Sequence, residues 1–292
     1  MTRKSKRRNV YSVCLMAPAL IFITVFMIIP LFKTIYYSFT SWYNFSPSKT
    51  WIGLSNYKQF FTDPVVAIGV KNTLLLIVFA LIFQVGVALI LAICVDAVPH
   101  GFKFFRTVYF FPIVISATAI GLMFSLIYKY DYGLLNFIVE LFGGEPQVWL
   151  TRERAIYMLL IPVCWQFIGF YFVTYLTSIS GISSDIYESA VLDGAKPFQK
   201  AIYITIPMLK STLMANIVLV VSGCFRVFDM VYVITGGGPM DSSQLLSSYM
   251  YYKAFRDYNT GYASAIAIVM MIMGLSITGV IKYFTNKISS DD

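Results

Sequence analysis

Six apolar runs decide what this chain can fold into. They cover about residues 11–34, 68–96, 105–128, 155–180, 208–235 and 261–284. Each meets or exceeds the ~20 residues that an α-helix needs to cross the hydrocarbon core of a bilayer. The chain is 58% hydrophobic and 12% charged, against about 25% charged in soluble domains, so it is too oily to stay in water. The expected fold class is all-α: a polytopic membrane protein with six transmembrane helices. A basic segment at 1–10 precedes a single transmembrane domain at 11–292. The first run holds Pro18 and Pro30. It is too long for the apolar core of a signal peptide and ends in no small-x-small cleavage site, so it reads as an uncleaved span.

The charges give an orientation. Arg3, Lys4, Lys6, Arg7 and Arg8 directly precede the first run, and such a cluster marks the cytoplasmic side. Six spans then return the C-terminus to that side, so both termini are expected to be cytoplasmic. Counted whole, the inner segments carry twelve Lys and Arg and the outer ones nine, so the N-terminal cluster carries most of the assignment. The net charge of +8 is thus a topology signal rather than a nucleic-acid footprint. Metal chemistry has little foothold. His100 is the only histidine, and Cys14, Cys94, Cys164 and Cys224 lie far apart with no CxxC pair. Buried free thiols and no metal site are the expectation.

The longest polar interruption on the basic side is 185–207, DIYESAVLDGAKPFQKAIYITIP. Ile186, Tyr187, Ala190 and Val191 fall on one helical stripe. Asp185 is placed to cap that helix, with Glu188 reaching back to it. Gly194 suits a left-handed C-terminal turn, and Pro197 suits the first turn of a second helix. The expected structure is helix, tight turn, helix, on the cytoplasmic side between spans 4 and 5.

This stretch resembles the EAA loop of ABC-importer permeases, whose pattern is Glu-Ala-Ala, three residues, Gly, nine residues, Ile-x-Leu-Pro. Here Glu188-Ser189-Ala190, Gly194 and Ile204-Thr205-Ile206-Pro207 keep every spacing. Ser189 and Ile206 depart from the pattern but stay close in size and shape. Further segments are similar to the carbohydrate-uptake class: Trp51-Ile52-Gly53-Leu54-Ser55-Asn56-Tyr57, Lys71-Asn72-Thr73, Arg106-Thr107, the stretches 131–136 and 227–239, and 261–265. Within these, Gly236-Gly237-Gly238-Pro239 resembles the maltose-type and glycerol-phosphate-type first permease of a two-permease pair. The resemblance implies that Glu188, Ser189, Ala190, Asp193, Gly194, Ile204 and Pro207 couple the chain to a separate ATPase. It implies a second permease subunit in a heterodimer, two ABC ATPase subunits, and an extracytoplasmic solute-binding protein. It also implies a bacterial-type cytoplasmic membrane. On that reading a sugar or sugar derivative moves by alternating access, ATP and Mg are bound by the partners, and this chain holds no cofactor and is no enzyme.

Ionised residues deep in a span are costly and point to function. Arg226 and Asp229 stand three apart in the fifth run, with Ser222 one turn earlier, so a continuous helix would put all three on one face. Gln166 and Tyr175 in the fourth run and Tyr232 in the fifth add polar groups and aromatic faces of the kind that sugar sites mix; Trp165 offers another. These are the candidate solute path. An internal Arg226–Asp229 pair that only fixes packing stays open beside it, as does a lipid-facing or core role for the aromatics. Gly236, Gly237, Gly238 and Pro239 break the fifth run sharply. They lack GxxxxGK[ST], so no ATP site is expected. Following the family, this outer loop faces the binding protein; a flexible break is the plain alternative. A secondary transporter or channel for a small polar solute is the rival reading. It would need coupling acids or a repeated half, and the spans show few acids and no clear duplication. An intramembrane enzyme would need a polar cluster that the spans do not contain.

Overall fold

The computed structural model describes residues 15–97 and 102–290, with side chains up to Tyr283. The basic cluster at 3–8, Cys14 and the turn at His100-Gly101 lie outside the described residues. In chain order, α1 is Leu15–Ser38, followed by β1 (Thr40–Ser41), β2 (Thr50–Trp51), α2 (Ser55–Thr62) and α3 (Pro64–Asp96). Then come α4 (Phe102–Val114), α5 (Ala117–Ile127), α6 (Leu134–Leu141), α7 (Ala155–Ile179) and α8 (Ser184–Leu192). The remainder is α9 (Pro197–Met208), α10 (Lys210–Cys224), α11 (Asp229–Ile234), α12 (Leu246–Phe255) and α13 (Thr260–Ser290). Among the described residues, α1, α3, α7 and the Thr260–Tyr283 part of α13 are each long and apolar enough to cross a membrane unbroken. Two bent pairs, α4 with α5 and α9 with α10, raise the number of spans to six if each pair crosses once.

The chain divides into two compact units: residues up to Thr62 with Met250–Met271, and Asp63–Tyr249 with the residues from Ile272 on. In the first, the aromatic stretch after α1 folds as a two-stranded antiparallel hairpin, Thr40 opposite Trp51 and Ser41 opposite Thr50. Asn56 is buried beneath it. Its Nδ2 donates to Ser38 O (2.9 Å) and Thr40 O (3.0 Å), and the Tyr57 hydroxyl sits 2.6 Å from Ser38 Oγ. The Lys49 ammonium lies over the Trp42 ring at 4.7 Å, an attraction to the negative face of the ring system.

In the second unit, α7 is the hub and packs against α3, α4, α5, α10 and α11. Tyr175 and Phe172 of α7, Leu76 of α3, Ile120 of α5 and Val220 and Val221 of α10 are fully buried. Pro162 inside α7 has no N–H to give Met158 O, and the Tyr128 hydroxyl donates to that carbonyl instead at 2.9 Å. Polar ties join α7 to α10: Asn216 Nδ2 donates to Thr174 Oγ1 (2.9 Å), and the Ser178 and Thr212 hydroxyls are 2.8 Å apart.

Two expected spans differ from straight helices. The run at 105–128 bends by 93° between α4 and α5. Ser116 caps the new helix, accepting from Ala119 N at 3.2 Å. The run at 208–235 ends its helix at Cys224, unwinds over 225–228 and resumes as the short α11. The stretch 129–154 is likewise ordered by α6, where buried Asn136 takes four bonds: Nδ2 to Tyr130 O and Gln147 O, Oδ1 from Gln147 N and Trp149 Nε1. Of the thiols, Cys164 and Cys224 are buried as expected, while Cys94 is exposed.

Candidate functional site

The segment 183–208 forms the expected elbow, with one correction at its start. The N-cap of α8 is Ser183, whose Oγ accepts from Asp185 N at 3.4 Å. Asp185 therefore sits in the first turn rather than at the cap, still well placed against the helix dipole. Its carbonyl accepts from Ser189 Oγ at 2.8 Å. At the other end Gly194 takes φ +77°. Ala195 N donates to Ala190 O (2.9 Å) and Gly194 N to Val191 O (3.0 Å), which satisfies the last carbonyls in the manner of a Schellman turn. Pro197 then opens α9, and Lys196 N donates to Gln199 Oε1 at 2.8 Å.

The expected apolar stripe on α8 is only half used. Ala190 is buried, and the hydroxyls of Tyr187 and Thr205 are 3.0 Å apart. Ile186 and Val191 stay exposed. Glu188, Ser189, Asp193, Gly194 and Pro207 are exposed, and Ile204 is half-buried. Around the turn, Leu192 is 87% exposed and Phe198 and Tyr203 each 76%.

A cavity of about 480 Å³ lies where the helix irregularities of the second unit converge, within the range of about 300–1,000 Å³ typical of small-ligand pockets. Gln84 reaches it from a π-helical turn of α3, Ala117 from the α4–α5 bend, Gln166 and Phe170 from α7, and Arg226 and Asp229 from the unwound segment and the start of α11. The structure thus brings three expected residues together: Gln166, Arg226 and Asp229. It does so by a route different from the helical face expected. Because α10 stops at Cys224, Ser222, Arg226 and Asp229 share no helical stripe. Among the described residues, no ion pair joins Arg226 to Asp229; the pair present is Lys253–Asp257. Ser222 is exposed and outside the cavity lining, Tyr175 is wholly buried away from it, and Tyr232 is exposed with its ring 5.3 Å from Phe228. Trp165 lines a separate apolar cleft of about 420 Å³ with Phe83 and Cys164.

The glycine-rich loop is a packed knot, not a flexible break. After α11 the chain passes through Gly236 and Gly237 at φ +60° and +83°. Ser243 Oγ donates to Gly238 O at 2.6 Å and lies 2.8 Å from Thr235 Oγ1. A Cβ on Gly237 would meet the Gln244 side chain at 2.2 Å. From α3, buried Asn72 donates to Ser242 O (2.8 Å) and Gln244 O (2.9 Å), and Thr73 Oγ1 accepts from Leu246 N (3.3 Å). Ser243, Leu246 and Ser248 are fully buried, while Gly236, Pro239 and Met240 face outward.

No protein-family model matches the chain. Individual relatives do. The probable ABC transporter permease protein YurN of Bacillus subtilis (strain 168) is 39% identical over 268 residues, spanning 90% of this chain and 91% of the relative. The chain belongs to the ABC transporter permeases. The trehalose/maltose transport system permease protein MalF of Thermococcus litoralis is 31% identical over 294 residues, 95% of each chain. The fold of this permease also matches a crystal structure of a bacterial ABC transporter involved in the import of the acidic polysaccharide alginate, with a TM-score of 0.86 over 98% of both chains at 22% identity. A permease of this kind is not an enzyme; ATP hydrolysis occurs in separate ATPase subunits.

Sequence reasoning missed Gln84 in this permease. It is buried, and its Nε2 donates to Val163 O at 3.1 Å. The signal was available: Gln84 is the sole amide side chain between Leu74 and Cys94, and a polar side chain in such a run needs a reason.

Proposed function

We propose that this permease is a transmembrane subunit of an ATP-driven importer that moves a sugar or sugar derivative into the cytoplasm. The sugar assignment draws on the trehalose/maltose relative. The observation that carries the coupling reading is the elbow at 185–207, which keeps every spacing of the EAA loop and turns Leu192, Phe198 and Tyr203 outward. In this reading the residues 11–292 form one permease domain with six spans, each bent pair crossing once. Both termini and the elbow lie on the cytoplasmic side of a bacterial-type plasma membrane. The partners are a second permease in a heterodimer, two ATPases, and an extracytoplasmic solute-binding protein facing the 236–239 loop.

The mechanism is alternating access. ATP binding closes the two ATPases, closure moves the docked elbow, and the spans rock to open the cavity outward, where the binding protein delivers solute. Hydrolysis resets the cavity inward. The elbow links the two equilibria because its contacts differ between the open and closed motor, and only such a difference can shift a population. Gly194→Pro tests this. Proline is confined to φ near −65° and cannot take the +77° of Gly194. The expected result is ATP hydrolysis uncoupled from uptake in vesicles. Unchanged uptake sinks the coupling assignment.

A further inference from the structure

We propose that the seam between α7 and α10 is a latch with two settings: Asn216 bonds Thr174 in one and the Tyr175 hydroxyl in the other. The proposal rests on the importer reading and names the residues that carry the elbow's movement to the cavity wall. In this structure Asn216 Nδ2 donates to Thr174 Oγ1 at 2.9 Å, and one turn nearer the elbow the Ser178 and Thr212 hydroxyls are 2.8 Å apart. One turn the other way, Tyr171 of α7 and Val220 of α10 line the cavity. On the elbow itself the Tyr187 and Thr205 hydroxyls pair at 3.0 Å. Polar pairs thus follow one another from the elbow to the cavity. Between helices in lipid no hydrophobic force fixes the register, so interhelical bonds and close packing fix it instead.

The seam is incompletely bonded as it stands. Tyr175 is fully buried, and its hydroxyl, beside Asn216, has no hydrogen-bond partner. The Thr174 hydroxyl has one proton to give. It lies 2.7 Å from Tyr171 O and 3.2 Å from Asn216 Oδ1, and the shorter contact takes the proton. Asn216 Oδ1 therefore keeps an unspent acceptor next to the unspent Tyr175 donor. A buried polar group left unpaired costs free energy. A small rotation of α7 against α10 that brings Tyr175 Oη to Asn216 Oδ1 recovers that cost and gives up the Thr174 bond. Two arrangements of similar bonding, on neighbouring residues of α7, make a bistable element that the elbow can bias.

The test uses the complete transporter in lipid nanodiscs, read by its ATPase rate without the binding protein and by hydrogen exchange along α7 and α10. Tyr175→Phe removes the second setting and leaves the first intact; Thr174→Val removes the first and leaves the second. The two variants are expected to shift the ATPase rate in opposite directions, each by about threefold, the population change that one interhelical bond sets in a membrane. Exchange in α10 is expected to shift in opposite directions as well. Thr174→Ser, which keeps the hydroxyl, is expected to behave as the unmodified protein. A seam that serves packing alone gives a different result: Tyr175→Phe then deletes an idle hydroxyl and moves neither reading. An unchanged Tyr175→Phe complex, or shifts of both variants in the same direction, overturns the proposal. Where Thr174→Val does not assemble, Tyr175→Phe decides alone. ATP-driven uptake by the unmodified complex separates the two readings. Uptake with an idle Tyr175 hydroxyl removes the latch and leaves the importer standing; opposed exchange shifts without uptake do the reverse.

Discussion

The elbow at 183–208 and the knot at 235–248 look alike as sequence and are built in opposite ways. Each interrupts an oily chain with glycine, proline and small polar residues. The knot turns its polar groups inward. Asn72 and Thr73 hold its backbone, Ser243 and Ser248 bond within it, and its centre is sealed. The elbow satisfies its backbone locally, through Ser183, Gly194 and Gln199, and turns its apolar side chains outward. The lesson is that polarity alone does not separate a loop packed into its own chain from one that leaves apolar side chains exposed. What separates them is whether distant residues of the same chain complete the hydrogen bonding.

If that contrast is right, damage to the knot lowers stability, while damage to the elbow spares stability and stops transport. The largest loss of stability is expected for Asn72→Leu, which strips the donors from two carbonyls. At about 1–3 kcal/mol for each group left unpaired, the thermal unfolding midpoint of the purified complex drops sharply. A midpoint equal to wild type breaks the comparison. Gly237→Ala comes next. Its φ of +83° disfavours a side chain, and the new Cβ would push Gln244 off Ser248 Oγ, now 2.6 Å away. Strain of this kind costs about 1–3 kcal/mol, read in the same melt. Leu192→Asp should change unfolding by less than about 0.5 kcal/mol, as surface substitutions do, yet abolish ATP-driven uptake in vesicles. Ser183→Ala is the mildest. The cap it removes is long at 3.4 Å, so the cost sits at the low end for caps, about 0.5 kcal/mol. Faster hydrogen exchange at the start of α8, with transport retained, would show it.

The long spans were legible because hydropathy averaged over twenty residues survives local irregularity; α1, α3, α7 and α13 follow. The bends were not, for the same reason. The α4–α5 corner lies between apolar neighbours, and Pro112 near it was the only local sign. The end of α10 at Cys224 was equally hidden, and with it went the helical face drawn through Ser222, Arg226 and Asp229. Arg226 and Asp229 reach one cavity because the chain unwinds there, not because of periodicity. α12 falls between the fifth and sixth apolar runs, and its ten residues of mixed polarity are too short to register as a span. The motif asparagines were visible as letters, but their work was not. Asn72 meets partners 170 and 172 residues away, a pairing that no local pattern encodes. At the elbow, Gly194 and Pro197 were read correctly because left-handed turns and helix starts are local events.

The unwound stretch 225–228 carries a further consequence. Bare peptide groups cannot sit against lipid tails; non-helical backbone at membrane depth survives only where protein or solvent takes up its polar atoms. Ser247 Oγ donates to the Val227 carbonyl, and Arg226, Val227 and Phe228 border the cavity. On the six-span reading, that wall has to be wetted, and the interruption of the fifth span would itself create the hydrated lane through which a polar cargo could slip.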